Sequence, residues 1–301
     1  MKAVFDLLPS SVDVRIRAFA IATLVAQILI VGTGGAVRLT GSGLGCPTWP
    51  RCTEDSFVTT PEMGIHGVIE FGNRLLTFVL VAIAIVTFVL VLRIRRERRD
   101  VFVLALLIGL YVPVQAIIGG ITVLTNLNPY VVGLHFLASV ILVSLSAVLV
   151  YRVFIGPREP GWAVPPWYRL TTHVTSFFAA VTIIVGIITT GSGPHAGDGG
   201  AARNGLDSEL LQHVHSWPAY ALVVLTVVLA YGAVRLHASR LIRLTLVLLA
   251  IELMQVIVGL AQARLGLPEV LVGIHMVLAC CLAAAMTAVV LALRGTRSRE
   301  R

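Results

Sequence analysis

Three histidines stand at matching depth in three apolar stretches: His135, His215 and His275. They lie 17, 20 and 19 residues before the basic ends of those stretches at Arg152, Arg235 and Arg294. At about 1.5 Å of helical rise per residue, all three sit roughly 25–30 Å from the basic boundary. Imidazoles facing one another from two helices of a bundle are a way to hold a haem iron inside a membrane. His215 and His275 make a complete pair of this kind. His213 is two residues from His215 and points to another side of its helix. His173 and His237 fall at the basic margin and His195 in an opposite loop, where they read as solvated residues.

The partner of His135 is less plain. The depth-matched position on the second apolar stretch is Asn73, twenty residues before Arg93. The available histidine, His66, is seven residues earlier, on the same helix face but roughly 10 Å further out. Glu70 lies between them, so His66, Glu70 and Asn73 share one stripe. Thr60-Pro61-Glu62 reads as a helix start with Thr60 as cap, placing His66 one or two turns inside. The asymmetry suggests one closed site with two ligands and one open site beside a carboxylate.

The elements that position these residues are written twice. Gln115-Ala-Ile-Ile-Gly119 leads to His135, and Gln255-Val-Ile-Val-Gly259 leads to His275, at a constant offset of 140 residues. Upstream, Thr40-Gly-Ser-Gly43 recurs as Thr190-Gly-Ser-Gly193. Mean hydropathy of +0.93, with 57% hydrophobic and 13% charged residues, places the chain in the membrane class. Eight stretches are long enough to span, roughly 14–37, 63–93, 101–123, 129–152, 168–190, 209–235, 241–263 and 269–293. The expected fold is an all-α membrane protein: eight transmembrane helices as two tandem four-helix bundles. Four spans per repeat give both halves the same orientation. The Pro- and Gly-rich segment 154–167 reads as the linker between residues 1–153 and 168–301.

Arginines set the orientation. The run Arg93-Ile-Arg-Arg-Glu-Arg-Arg99, then Arg152, Arg158 and Arg169, Arg235, Arg240 and Arg243, and finally Arg294, Arg297, Arg299 and Arg301 fall on one side. The positive-inside rule makes that side, and both termini, cytoplasmic. The net charge of +8 is therefore mostly topology and calls for no nucleic-acid partner. The first apolar stretch lacks a small-residue cleavage site and reads as a retained helix. The glycines at 32–35 and 41–45 follow a helix rather than a strand. They are no dinucleotide fingerprint and instead admit a macrocycle or a neighbouring helix.

Taken together, these residues resemble the haem A synthase family. The motifs are Gly34-Gly35-Ala-Val-Arg38-Leu-Thr-Gly-Ser-Gly43, Cys46-Pro-Thr-Trp-Pro-Arg-Cys52, Ile69-Glu70-Phe-Gly-Asn73-Arg74, Gln115 and Gly119 with His135, Gln212-His-Val-His215, and Gln255 and Gly259 with His275. The resemblance covers nearly the whole chain. It implies a cell-membrane oxidoreductase that converts the C8 methyl of haem O to the formyl group of haem A for terminal oxidase. It further implies haem b held by His215 and His275, substrate haem held by His135, Glu70 as catalytic carboxylate, and Cys46 with Cys52 as an outer-loop pair. A haem O synthase and an electron-transfer partner are the expected neighbours.

The chain departs from the family where many members carry histidine in place of Asn73. Either His66 supplies the second substrate-side ligand or that position stays open. The second outer loop, Gly191–Asp198, has no cysteine pair. An oxidising compartment favours a disulfide between Cys46 and Cys52, with redox-active thiols as the alternative. Cys280 and Cys281, inside the last span, read as small apolar residues. Arg38, Arg74 and Arg264 lie near the outer ends, where haem propionates would fall, and Arg74 is the first choice. The rival to a synthase is a di-haem b membrane cytochrome that only transfers electrons, which requires two full ligand pairs. A transporter, which duplication permits, lacks the broken helices and midplane charges of a substrate path.

Overall fold

The computed structural model describes residues 6–157 and 159–295. Lys2, Arg158, Arg297, Arg299 and Arg301 lie outside the described residues. Among those described, eight helices are long and apolar enough to cross a membrane. We number them α1 (Val14–Leu39), α2 (Gly64–Val91), α3 (Arg99–Leu124), α4 (Pro129–Ile155), α5 (Pro166–Ser192), α6 (Ser208–Arg235), α7 (Ser239–Arg264) and α8 (Glu269–Ala292). Their bounds fall within three residues of the stretches expected from hydropathy, because continuous apolar runs leave helices as the way to satisfy backbone groups in lipid.

Local chemistry starts the helices. Asp13 accepts from the Ile16 amide at 3.1 Å, Asn128 from Tyr130 at 3.0 Å, and Asp207 from Glu209 and Leu210 at 2.9 and 3.1 Å. Pro129 and Pro166 each occupy the first turn of their helices, where no amide partner is lost. The start of α2 departs from expectation. Pro61–Met63 form a separate 3-10 turn, Thr60 makes no side-chain cap, and Gly64, the first residue of α2, adopts φ +57°. His66 is therefore in the first turn of α2 rather than deeper, since the left-handed glycine interrupts the helix that Thr60 was expected to start.

The helices close two rings: α1–α2–α3–α4 and α5–α6–α7–α8, each with its first and last members in contact. The rings meet along α1–α8, α4–α8 and α4–α5. Glycines make that seam close. A side chain at Gly32 or Gly35 would press on Val277 or Met276 of α8. Gly133 of α4 rests on Ile187 of α5, and its repeat counterpart Gly273 of α8 rests on Leu39 of α1. Van der Waals contact through small residues is the main means of holding helices together in lipid. Val31, Val140, Val143, Cys280 and Ala283 fill the centre of the seam, so Cys280 does pack as a small apolar residue.

Duplication reaches the backbone. The α3–α4 turn places Asn126 and Leu127 at φ +49° and +57°, and the α7–α8 turn places Gly266 and Leu267 at +76° and +61°. A left-handed leucine costs on the order of 1–3 kcal/mol. Leu127 recovers part of that cost through burial between the outer loops, against Gly43 and Gly197.

Candidate functional site

Both halves build the same device around a histidine. In α3, Gln115 donates to the Ser139 hydroxyl at 2.6 Å and to the His135 carbonyl at 3.4 Å. In α7, Gln255 donates to the His275 carbonyl at 3.2 Å. Four residues on, Gly119 and Gly259 leave room for the rings: a Cβ there would stand 3.3 Å from Cε1 of His135 and of His275 respectively. Gly186 of α5 does the same for His215, at 2.8 Å. Each imidazole thus lies against bare backbone.

The pair in the second half is assembled. The His215 and His275 rings face each other across the α5–α8 ring of helices with centroids 6.2 Å apart and planes at 77°. The Nδ1 atoms of His135, His215 and His275 are all buried without a hydrogen-bond partner. Buried polar atoms are ordinarily paired, so the three matching unpartnered nitrogens make these rings candidates for holding a bound group. His213 is exposed and turned away from this interior. The donor set (two imidazoles, glycine on either side, apolar walls) fits a flat metallomacrocycle held by its iron.

The first half brings together less. Asn73 lines the interior of α2 with its Oδ1 buried and unpartnered, close to Gly34. His66 does not join it. It is exposed at the outer surface, where Nδ1 pairs with the Ser42 hydroxyl at 2.8 Å. There His66 lines an open cleft with Gly41, Leu44, Pro47, Met63 and Asp198.

Glu70 is buried and fully engaged. Its Oε2 accepts from the Cys46 amide at 2.5 Å, and its Oε1 accepts from Arg74 Nε and Nη2 at 3.1 and 2.5 Å. Arg74 also donates to the carbonyls of Cys46, Thr48 and Arg51 at 3.0, 3.0 and 3.1 Å. Most of its donors are thus spent on the outer loop. That loop folds into a tight knot in which Cys46 and Cys52 are joined through their sulfurs, both fully buried. Trp49, at its tip, lies on Gly120, where any side chain would collide with the indole. The knot sits over the His135 end of the first ring, because Gly120 adjoins Gly119.

Arg38 is also committed, donating to the carbonyls of His195 and Thr190 at 2.7 and 3.0 Å. It fastens the first half to the outer loop of the second. His195 is correspondingly half-buried and bonded to the Leu267 carbonyl at 2.8 Å, not simply solvated. Arg264 is exposed at the outer end of α7.

A family model described as cytochrome oxidase assembly protein, COX15-CtaA, matches residues 17–287. This chain belongs to that family. Among curated relatives, a protein named heme A synthase from Exiguobacterium sp. is 31% identical over 140 residues, covering 45% of this chain and 44% of the relative. Another from Bacillus pumilus is 29% identical over 173 residues, covering 55% and 54%. One from Listeria monocytogenes is 28% identical over 145 residues, covering 48% and 47%. The chain spans about half the length of the curated relatives it matches.

Two features of this COX15-CtaA chain escaped the sequence reading. One is Trp49 against Gly120; an aromatic residue in a cysteine-bounded loop was the available signal. The other is Glu252, the lone acid in the apolar run of α7, which is 2% exposed. It corrects the expectation that no midplane charge exists.

Proposed function

We propose that this chain is a haem A synthase, a membrane oxidoreductase that oxidises the C8 methyl of haem O to the formyl group of haem A. The observation that carries the reading is the facing pair His215 and His275, each ring against a glycine and each Nδ1 unpartnered. The names of the relatives point the same way. In this reading residues 1–153 form the substrate half, 154–167 the linker, and 168–301 the half that holds haem b. When bound, haem b supplies reversible one-electron chemistry.

The residues divide the work. His215 and His275 would hold haem b between them and leave that centre to electron transfer. His135 holds the substrate haem from one side, with Gly119 admitting the macrocycle. Asn73 stands at the matching depth on the other side, and its amide is no strong iron ligand, so that face stays open for chemistry. His66, tied to Ser42, takes no ligand role. Glu70, one turn outward of Asn73, holds a carboxylate where positive charge or a proton develops as the methyl is oxidised, and the low-dielectric setting strengthens its effect. Arg74 sets the direction of that carboxylate and keeps one Nη1 hydrogen for a propionate. Cys46 and Cys52 act as a disulfide staple that holds Trp49 over the site.

Positive-inside asymmetry supports the reading that both termini are cytoplasmic and the cysteine knot lies on the outer side of the cell membrane. A haem O synthase supplies the substrate, and an electron-transfer partner takes up the electrons released. A di-haem b cytochrome is the weaker reading, because Asn73 leaves the first half without a second imidazole. The test is to express the chain with a haem O synthase and chromatograph membrane haems. Haem A should appear with the intact chain, and only haem O with Glu70→Ala. Haem A from the Glu70→Ala strain would remove Glu70 from the reaction.

A further inference from the structure

Glu252 lies midway along α7 with its carboxyl in the core of the second ring. Its Oε1 accepts from the Thr226 hydroxyl of α6 at 2.8 Å, and its Oε2 is buried without a partner. None of the ion pairs among the described residues includes it. Helices α6, α7 and α8 carry the apolar cluster of Leu222, Leu248, Ile251, Leu282 and Met286. An ionisable group at this depth is costly and is kept where it does something.

The duplication says what a purely structural residue would be. At the offset of 140 residues, the first half carries Val112, buried in its own apolar cluster. At the offset of 142 that relates Asn73 to His215, the counterpart of Thr226 is Ala84, also buried. A valine and an alanine therefore suffice to pack this layer. The second half replaces both with a hydrogen-bonded polar pair, in the half that has two facing imidazoles.

Glu252, Gln255 and Gly259 fall at i, i+3 and i+7, on one face of α7. Gly259 touches the His275 ring, and Glu252 is seven residues, roughly 10 Å, further along the axis toward the arginine-rich end. The helices packed against α7 are α6 and α8. From α6, His215 faces inward, while Tyr220, Tyr231 and Arg235 are exposed. From α8, His275 faces inward with buried Cys280 and half-buried Cys281, and Glu269 is exposed at the outer end. No cation from either helix offsets a charge on Glu252.

We propose that Glu252, seated on Thr226, is the redox-linked protonation site of the His215/His275 centre. This rests on the reading that those two histidines hold a haem. While the centre carries its extra positive charge, the carboxylate is stabilised across the low-dielectric core. A Coulomb interaction over about 10 Å at an effective dielectric near 20 is worth roughly a tenfold shift in either equilibrium. When one electron arrives from an external one-electron donor, Glu252 takes one proton from solution and becomes the neutral acid. Oxidation returns the electron and the proton, and the O–H bond is the only bond made or broken. The carboxyl thereby offsets part of the charge that the electron brings to the bundle core.

The test is a spectroelectrochemical titration of the haem in the purified full chain across a series of pH values. The midpoint potential should fall with rising pH by about 59 mV in all, the one-electron equivalent of a tenfold coupling, and at its steepest by about half of 59 mV per pH unit. Glu252→Gln, which keeps an acceptor for Thr226, should flatten the slope. Glu252→Val, which restores the residue of the first half, should flatten it too and guards against a folding defect in the amide variant. A pH-independent potential in the intact protein, or an unchanged slope in both variants, overturns the proposal while leaving the haem reading intact. A protein purified without haem overturns both.

Discussion

Gln255 donates its side-chain amide to the main-chain carbonyl of His275 at 3.2 Å, one turn before the glycine on which the same histidine's ring lies. Gln115 and His135 repeat the relationship in the first half. The amide fixes the helix pair and the glycine makes the cavity, so the two residues separate in their effects. Gly259→Leu should abolish retention of haem b, since the new side chain occupies the space beside the His275 ring. Overpacking of this kind costs about 1–3 kcal/mol, so the apoprotein should still insert and purify. Gln255→Leu should cost about 0.6 kcal/mol of helix association and keep the haem. Visible absorption of the two purified variants decides between these outcomes.

The two histidines near the outer end of α6 should differ completely. His215→Ala removes one member of the facing pair and should eliminate the low-spin haem b spectrum. His213→Ala alters an exposed side chain and should leave it unchanged. Equal loss in both would mean that the helix is rotated from the orientation described above.

Arg74 joins Glu70 to three carbonyls of the cysteine knot, and that is a stronger structural role than a propionate contact. Arg74→Ala leaves a buried carboxylate without its counter-charge, which costs about 3–5 kcal/mol. Haem A formation should be lost and the knot should become susceptible to protease. Lysine cannot reproduce a fork that reaches two directions at once, so Arg74→Lys should recover little activity. Full activity with Lys would reduce Arg74 to a point charge.

Replacing both knot cysteines with serine should destabilise the loop by roughly 2 kcal/mol, the chain-entropy value for so short a closure. The effect should be confined to the first half: haem b on His215 and His275 stays, while haem A formation falls as Trp49 leaves Gly120. Loss of haem b from the double variant would contradict that division.

The fold was legible because each span is a continuous apolar run and the repeat aligns without gaps from Gln115 to His135 and from Gln255 to His275. Depth counted from the arginines singled out the three histidines, and the direction of neighbouring side chains on a helix separated His215 from His213. What stayed hidden depends on side chains meeting across the molecule. His66 looked able to reach inward until the left-handed Gly64 put it at the helix start, facing Ser42. Arg74 looked free at an outer end, because nothing in its neighbours in sequence reveals that the loop from Cys46 to Arg51 folds back over it. Glu252 was a single letter in an apolar run, and its pairing with Thr226 links positions 26 residues apart.

The most direct test of the two-site account is the haem content of the purified protein made together with haem O synthase. The intact chain should yield haem b with haem O or haem A. His135→Ala should keep haem b and lose the other two, and His215→Ala with His275→Ala should lose haem b. Stoichiometric haem b alone, indifferent to haem O supply and to His135, would contradict the account and leave an electron-transfer cytochrome.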